Sequence, residues 1–329
     1  MKASLKNLFL LPALIAGLDL LSAARVAAQP YTFCTEVQST NKASMTYNSG
    51  TGAFQFTDAA TSSEDYAYLP LCGTAAASIT TSNDWTGALS VDISARSMTT
   101  TAGSSSHVVV GLVVVDNVNF NDFVFILAAQ DNNTGGGDDS IYPPGWYGTA
   151  VRFGALTGTT TALGNSLTSP NGSVYLPLSG GTNGSAATEA FSDVTGNLKL
   201  IYSASTKIVV AYYNGTPVGS YSLASWGSNP PLGLAVWGGS GKGVDVPGGT
   251  DTASSFYAGP LPVLTGIRSG ANYVMMWPTN ATGFALQSTT NLTPPAVWTT
   301  VSPPPVIIGA NNAVTNDTSG TRRFYRLSQ

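Results

Sequence analysis

The chain has 329 residues, of which 9% are charged, and its formal net charge at pH 7 is −4. Nucleic acids and anionic membranes are bound by basic surfaces, so this composition argues against both as partners. Ser, Thr, Asn and Gly supply much of the polarity instead, and a surface of uncharged hydrogen-bonding groups suits neutral polymers.

The N-terminus has the three parts of a secretory signal peptide. Lys2 and Lys6 precede a largely apolar run over residues 8–21, and Ala27-Ala28 offers small residues for cleavage. The alternative is a membrane anchor, but a membrane-spanning helix needs about 20 apolar residues. We expect residues 1–28 to be removed, leaving 10 basic and 16 acidic residues, a net charge of −6. The product is then secreted or held at the cell surface, with no membrane span.

Two cysteines, Cys34 and Cys72, lie near the start of the remaining chain. In an oxidising compartment such a pair most simply forms a disulfide. Closing this loop would stabilise the fold by about 4 kcal/mol. The alternative is a pair of buried thiols.

Beyond the signal peptide, the residue pattern predicts an all-β protein. Runs rich in Val, Ile, Thr, Tyr and Phe are separated by Gly, Asn, Asp and Ser, which is typical of antiparallel sandwiches. Asn214-Gly215 predicts a tight turn, since both residues tolerate positive φ. The clearest predicted strands cover residues 88–95 (ALSVDISA), 108–115 (VVVGLVVV), 123–129 (FVFILAA), 198–202, 208–213 and 232–237.

A second, smaller β domain is predicted at the C-terminus. The proline-containing segment at residues 258–262 reads as a linker, because proline interrupts strand pairing. We therefore place a large β-sandwich at residues 29–259 and a small one at residues 260–329. The short strands predicted in the second domain cover residues 273–277, 284–288, 298–301, 306–308 and 324–327.

The order of strands over residues 78–257 resembles the concanavalin A-like lectin/glucanase superfamily, and Asn214-Gly215 resembles a turn of its laminin-G-like modules. The resemblance implies a jelly roll of two antiparallel sheets. The C-terminal string GFALQSTTNLTPPAVW…RFYRL resembles a small terminal module of secreted proteins from Verrucomicrobia-type bacteria. This second resemblance implies a bacterial exported protein and a role in attachment or sorting.

Catalytic motifs are lacking. Glycosidases of this superfamily share an E-x-D-x-E pattern, because one carboxyl group must donate a proton while the other attacks or stabilises the sugar. Residues 29–329 contain only Glu36, Glu64 and Glu189, and none begins such a pattern. His107 is the only histidine and begins a predicted strand, where we expect a solvated or capping side chain. We therefore assign no catalytic residue.

A glycine-rich loop at residues 131–139 is a candidate calcium site. It offers hard oxygen ligands from Asp131, Asn133, Asp138 and Asp139, and its glycines allow carbonyl groups to turn toward an ion. Asp116, Asn119, Asn121 and Asp122 form a weaker candidate. The alternative for each loop is a solvated polar turn.

Sugar-binding residues are predicted just after this loop. Tyr142, Trp146, Tyr147 and Arg152 combine aromatic faces with a planar cation, and the intervening prolines predict a loop rather than a strand. The alternative is that these aromatic side chains only pack. Trp226 and Trp237 are predicted to lie in the core or at its rim.

Together these features favour a secreted or surface lectin-like module that binds a polysaccharide or cell-surface glycan without catalysis, with calcium as a possible cofactor. Two alternatives remain open. One is a diverged glycoside hydrolase or lyase acting on polysaccharide. The other is a structural surface or matrix protein whose β-domain self-associates.

Overall fold

The structure is a computed structural model. It describes residues 31–38, 43–57, 65–99, 106–116, 122–132, 146–156, 174–182, 188–226, 232–241, 250–279, 281, 283–320 and 322–328. The predicted signal peptide lies outside these residues. Among the residues described, no helix has the length and apolar character needed to cross a membrane.

The described residues form 24 strands and one helical turn, α1 (Gly73–Ala76). The strands are β1 (Thr32–Phe33), β2 (Val37–Gln38), β3 (Ser44–Asn48), β4 (Ala53–Thr57), β5 (Asp65–Cys72), β6 (Trp85–Ile93), β7 (Ser97–Thr99), β8 (Ser106–Asp116), β9 (Phe123–Asn132), β10 (Trp146–Leu156), β11 (Val174–Thr182), β12 (Thr188–Ala190), β13 (Val194–Ser203), β14 (Ile208–Tyr213), β15 (Thr216–Ser222), β16 (Leu232–Gly241), β17 (Thr250–Gly259), β18 (Thr265–Ser269), β19 (Asn272–Pro278), β20 (Ala285–Thr289), β21 (Thr299–Thr300), β22 (Val306–Ile308), β23 (Asn311–Asp317) and β24 (Phe324–Ser328).

Two antiparallel sheets form the main body of the described chain. One has eight strands in the order β1-β5-β16-β8-β9-β10-β11, with β2 also paired to β5. The other has seven strands in the order β15-β14-β13-β6-β17-β4-β3. Hairpin neighbours such as β8 and β9 lie side by side, but β5 is followed by β6 in the other sheet and β16 by β17, so the chain crosses repeatedly from one sheet to the other. This is the jelly-roll sandwich that the sequence predicted.

The C-terminal strands form two further sheets, with orders β18-β19-β23-β22 and β21-β20-β24 among the described residues. We call strands β18–β24 the C-terminal unit. Each of the five strands predicted in this part of the chain is present. β18 and β23 were not predicted.

The core lies between the two large sheets and follows the alternation of each strand. Leu89, Val91 and Ile93 of β6 point inward, as do Val110 and Leu112 of β8. Successive residues of a strand face opposite sides of its sheet. The outward-facing residues between these inward positions of β6 are polar. The outward-facing residues of β8 and β9 are instead mostly apolar, and they are buried as well.

Polar contacts across the sandwich hold the two sheets together. The Gln130 amide of β9 donates hydrogen bonds to the carbonyl oxygens of Ser94 (3.0 Å) and Ser192 (2.9 Å), which extend from strands of the other sheet. Arg96 and Asp251 form a buried ion pair near the same end. Buried polar groups with such partners avoid the cost of desolvation without compensation.

The predicted hairpins are confirmed, and two boundaries are corrected. β8 pairs with β9, β13 pairs with β14, and Asn214 and Gly215 both have positive φ. β9 continues to Asn132, past the predicted end at residue 129. The segment with Trp146 and Tyr147 was predicted to be a loop, but both residues belong to β10 because they pair with β9 and β11 in regular register.

The predicted disulfide is present between Cys34 and Cys72, whose Cα atoms lie 5.5 Å apart. This separation falls in the usual range for disulfides. The bond ties the N-terminal strand segment to the end of β5. There it adjoins an aromatic cluster formed by Tyr31, Phe33, Tyr47, Phe54 and Phe256.

Removing this disulfide is expected to destabilise the protein. It closes a sequence separation of 38 residues, so loss of the link should cost about 4 kcal/mol through the entropy of the unfolded chain. Denaturant unfolding of a double variant, Cys34→Ala with Cys72→Ala, measures the effect. An unfolding curve identical to that of the oxidised protein would contradict it.

Close packing of β8 against β9 leads to a second stability prediction. A Cβ atom added at Gly111 would overlap the backbone of Ile126 and Leu127, which cannot move aside as a flexible side chain could. Gly111→Ala should therefore cost about 3 kcal/mol. Gly320→Ala is the matched control, since nothing lies within 4 Å of its added Cβ. Urea unfolding of both variants checks the difference, and equal midpoints would be the contrary result.

Candidate functional site

The outward face of the seven-stranded sheet carries an ordered set of polar side chains. In β6 the residues between the inward-facing Leu89, Val91 and Ile93 are Ser90 and Asp92. Neighbouring strands are in register at these positions, so their outward residues form rows across the sheet. Two such rows are polar, and we call them the polar face.

The first row crosses five strands and consists of Thr46, Gln55, Thr252, Asp92 and Thr195. Each residue is directly opposite the next in the antiparallel register. All five side chains are exposed. Adjacent strands lie about 4.8 Å apart, so the row is about 19 Å long. It offers three hydroxyl groups, one amide and one carboxylate.

The second row runs alongside the first and contains Ser254, Ser90 and Asn197, again in register. The Ser90 hydroxyl donates to the Asn197 amide oxygen at 2.6 Å. The Asn197 backbone exchanges hydrogen bonds with Asn214, one through its N–H and one through its C=O, both 2.9 Å long. An amide has two donors on its nitrogen, so the NH₂ group is the part of the Asn197 side chain that can donate to a ligand.

The next row is apolar and is covered by the C-terminal unit. Tyr257 pairs with Ala88, and both are buried in one cluster with Met275 and Trp277 of the unit. The ring of Phe284 lies edge-on to that of Tyr257, with centroids 5.5 Å apart. Burial raises the pKa of Tyr257 to about 12. The C-terminal unit therefore stands as a wall beside the polar face.

A lysine extends this covered row. Lys199 pairs with both Ala88 and Tyr212, and its Nζ lies 5.7 Å from the ring centroids of Tyr212 and Phe284. Burial, with a smaller effect from the Arg326 guanidinium, lowers the pKa of Lys199. The ammonium group is thus enclosed by aromatic rings that belong to both parts of the chain.

The polar face forms the floor of an open cavity of about 390 Å³. Its lining includes the side chains of Ser90, Asp92, Asn197, Thr252 and Ser254. This volume is within the usual range of small-ligand sites. The Asp92 carboxylate can accept hydrogen bonds and the Asn197 amide can donate them. Together they can form hydrogen bonds with a ligand that has a donor group next to an acceptor group.

Arg152 and Asp131, predicted from sequence as ligand and metal residues, both lie on the outward face of the eight-stranded sheet. Arg152 is in β10 and is 1% exposed, and Asp131 is in β9 and fully buried. Asp131 is directly opposite His107 of β8, which is partly buried rather than solvated. The structure therefore gives His107 an acidic neighbour that the sequence did not reveal.

The remaining predicted site residues are described only in part or lie outside the described residues. Trp146 and Tyr147 begin β10, and nothing is described of their side chains. Tyr142, Asn133, Asp138 and Asp139 lie outside the described residues. Within the parts of the chain that are described, no three His, Cys, Asp or Glu side chains gather to hold a metal ion. Trp226 and Trp237 are buried, as predicted.

Comparison with known proteins gives similarities of fold alone. No family model and no curated protein matches the sequence. Among solved structures, the potassium-bound carbohydrate recognition domain of Emp46p is 11% identical with a TM-score of 0.34, the match covering 67% of this chain and 87% of that one. The PL7 alginate lyase AlyA1 from Zobellia galactanivorans is 12% identical with a TM-score of 0.35, covering 67% and 81%. Lectin II from Ulex europaeus is 10% identical with a TM-score of 0.33, covering 68% and 92%.

The antiparallel jelly roll implied by the order of strands is confirmed as the fold of this chain. The direct evidence is the arrangement of its own two sheets. At these identities and TM-scores, nothing about ligand or activity is carried over from the three proteins.

Lys199 provides a test of how the wall is held against the sheet. The lowered pKa of Lys199 means that burial destabilises its ammonium group more than the surrounding groups stabilise it. The alkyl stem of the side chain, by contrast, stabilises the contact by packing. Lys199→Met should keep or raise the midpoint of urea unfolding, while Lys199→Ala should cost about 1 kcal/mol.

The matched control is Lys207→Met. Lys207 donates to the Thr81 carbonyl oxygen at 2.7 Å, so this change should lower stability by about 1 kcal/mol. A loss of stability for Lys199→Met as large as that for Lys199→Ala would show that the charge itself stabilises the wall.

Proposed function

We propose that this protein is a carbohydrate-binding protein that acts outside the cell without catalysis, and that a polysaccharide lies on the polar face. The observation that supports the proposal most directly is the pair of in-register polar rows beside the wall formed by the C-terminal unit. The rows supply hydrogen-bonding groups at a regular spacing, which suits a polymer with repeated hydroxyl groups.

The chemistry of the polar face favours sugars over other polar polymers. Adjacent hydroxyl groups of a pyranose each donate and accept a hydrogen bond. The Asp92 carboxylate can accept from one while the NH₂ group of Asn197 donates to the other. A hydrogen bond to a charged group contributes about 1.5–3 kcal/mol and a neutral one about 1 kcal/mol. We expect Asp92 and Asn197 to account for most of the specificity.

Composition of the polar face also favours a neutral ligand. A sheet face that is merely solvated can carry lysine and glutamate without cost, since charged residues are normally exposed. In the two described rows, seven of the eight side chains are uncharged. Neutral hydroxyl and amide groups are easily desolvated compared with charges, so a sugar can displace water from this surface.

We propose binding rather than cleavage because hydrolysis by acid–base catalysis uses two carboxyl groups about 5–10 Å apart. Asp92 is the one carboxylate in the rows that the structure describes. A second candidate function is polysaccharide cleavage on the outward face of the eight-stranded sheet. The observation in its favour is the His107–Asp131 register pair on the same face as Arg152, since a histidine beside a carboxylate is suited to proton transfer.

The proposal also includes export of the protein, its division into two domains and a calcium site. The Cys34–Cys72 disulfide suits an oxidising compartment, in keeping with a signal peptide at residues 1–28. Residues 29–259 and 260–329 are proposed as two domains. Calcium is proposed at residues 131–139, with Asp131, Asn133, Asp138 and Asp139 as ligands beside the aromatic residues Tyr142, Trp146 and Tyr147.

A glycan array tests the proposal, with the full-length protein probed in calcium and in EDTA. We expect binding to a neutral polysaccharide. Asp92→Ala and Asn197→Ala should each reduce the affinity about tenfold, because each removes a hydrogen-bonding group that a bound sugar would leave unsatisfied. Ser220→Ala on edge strand β15 of the same sheet is the matched control and should bind normally.

The alternatives give different results. Absence of binding to any glycan in either buffer, or unchanged affinity in both polar-face variants, would refute the proposal. Release of shortened products, lost in His107→Ala but kept in Asp92→Ala, would instead establish the cleavage function. Loss of binding in EDTA, reproduced by Asp138→Ala, would support the calcium site.

A further inference from the structure

A second cavity lies within the C-terminal unit, away from the polar face. Its volume is about 400 Å³, and it opens beside the ends of β20 and β21 and the residues before β24. Most of the lining side chains carry hydroxyl groups, and one is a guanidinium. The lining residues are Ser288, Thr289, Thr290, Val297, Thr299, Thr300, Val301, Ser302 and Arg323.

Two of the hydroxyl groups hold the cavity in shape. Thr289 Oγ1 donates to the carbonyl oxygen of Asn291 at 2.9 Å and accepts from its N–H at 3.2 Å, which fixes the turn after β20. Thr299 Oγ1 donates to the carbonyl oxygen of Ser288 at 3.3 Å, across the pairing of β20 with β21. The threonine framework is therefore organised before any ligand arrives.

The other hydroxyl-bearing residues line the cavity with a guanidinium among them. Ser288, Thr290 and Ser302 can each donate and accept one hydrogen bond from a ligand. Arg323 is exposed and can present its planar donors in pairs. Val297, which is 75% exposed, adds an apolar surface at the rim.

The charge of Arg323 is not balanced by its own part of the chain. Residues 260–329 contain four arginines and one acidic residue, Asp317. The Asp317 carboxylate accepts hydrogen bonds from the N–H and the hydroxyl of Ser319, each 2.7 Å long, and these bonds lower its pKa. Arg326, by contrast, stacks on the Trp298 ring and donates to Gln287.

We propose that this cavity binds a sugar that carries a carboxylate, such as a uronic acid residue of an acidic polysaccharide. The Arg323 guanidinium binds the carboxylate through two parallel hydrogen bonds. The hydroxyl groups of Ser288, Thr290 and Ser302 bind the ring hydroxyls of the sugar. The site is separate from the polar face, and the proposal does not depend on the ligand bound there.

Isothermal titration of the full-length protein with a galacturonic acid trisaccharide tests this proposal, with the galactose trisaccharide as the neutral partner. The acidic sugar should bind about tenfold more tightly than the neutral one. Arg323→Gln should remove that advantage, a loss of about tenfold, since it removes a charge-assisted pair. Binding should also weaken as NaCl is raised, because the site is exposed.

Three further variants separate this site from general effects. Arg268→Gln removes an exposed arginine on β18, whose Nε donates to its neighbour Gly270 at 3.4 Å, and should bind normally. Thr290→Val keeps the charge but removes one hydroxyl, and should weaken binding about threefold. The double variant Asp92→Ala with Asn197→Ala should retain full affinity for the acidic sugar, so that failure of the polar-face proposal is recognised separately.

The proposal is overturned if Arg323→Gln binds the acidic trisaccharide as tightly as the unmodified protein does. Equal affinity for the acidic and neutral trisaccharides would also overturn it. A third contrary result is saturable binding of sodium sulfate at matched ionic strength with none of the trisaccharide, which would indicate a site for inorganic anions.

Discussion

The seven-stranded sheet buries one apolar row of its outward face against the C-terminal unit, and this contact marks the edge of the candidate site. Tyr257 and Ala88 are buried there against Met275 and Trp277. A flat, solvated sheet face binds ligands weakly, because little surface is removed from solvent. By covering the apolar row and leaving the two polar rows accessible, the unit sets the border of the polar face, while the cavity itself is lined by β6, β13 and β17.

Much of the fold could be predicted because alternation and turn chemistry are local. The pattern ALSVDISA identifies β6 and also shows which of its residues face outward. The two residues Asn214-Gly215 are enough to identify the turn between β14 and β15. The misses have physical causes. β18 is exposed at every position, and β23 begins and ends with Asn and Asp, which are poor strand formers. Trp146 and Tyr147 were placed in a loop because of nearby prolines, although pairing with two neighbouring strands holds them in β10.

The candidate site could be predicted only in its parts. Ser90 and Asp92 were visible as the polar positions of a predicted strand, but their partners Thr252, Thr195 and Asn197 come from distant segments. Register between non-adjacent strands is set by tertiary packing, which one sequence does not reveal. The same limit applies to His107 and Asp131. Each was considered alone from sequence, whereas the pairing of β8 with β9 places them opposite each other.

The distribution of charge gives the two proposed sites different ligands. Residues 29–259 carry 6 basic and 15 acidic residues, a net charge of −9, whereas residues 260–329 carry a net charge of +3. An acidic polymer would therefore be repelled by the sandwich and attracted to the C-terminal unit, and its carboxylates would meet Arg323. A neutral polymer is neither attracted nor repelled by the net charge of either part of the chain, so hydrogen bonding to the polar rows alone would select it. A protein with both proposed sites would join two chemically different polysaccharides.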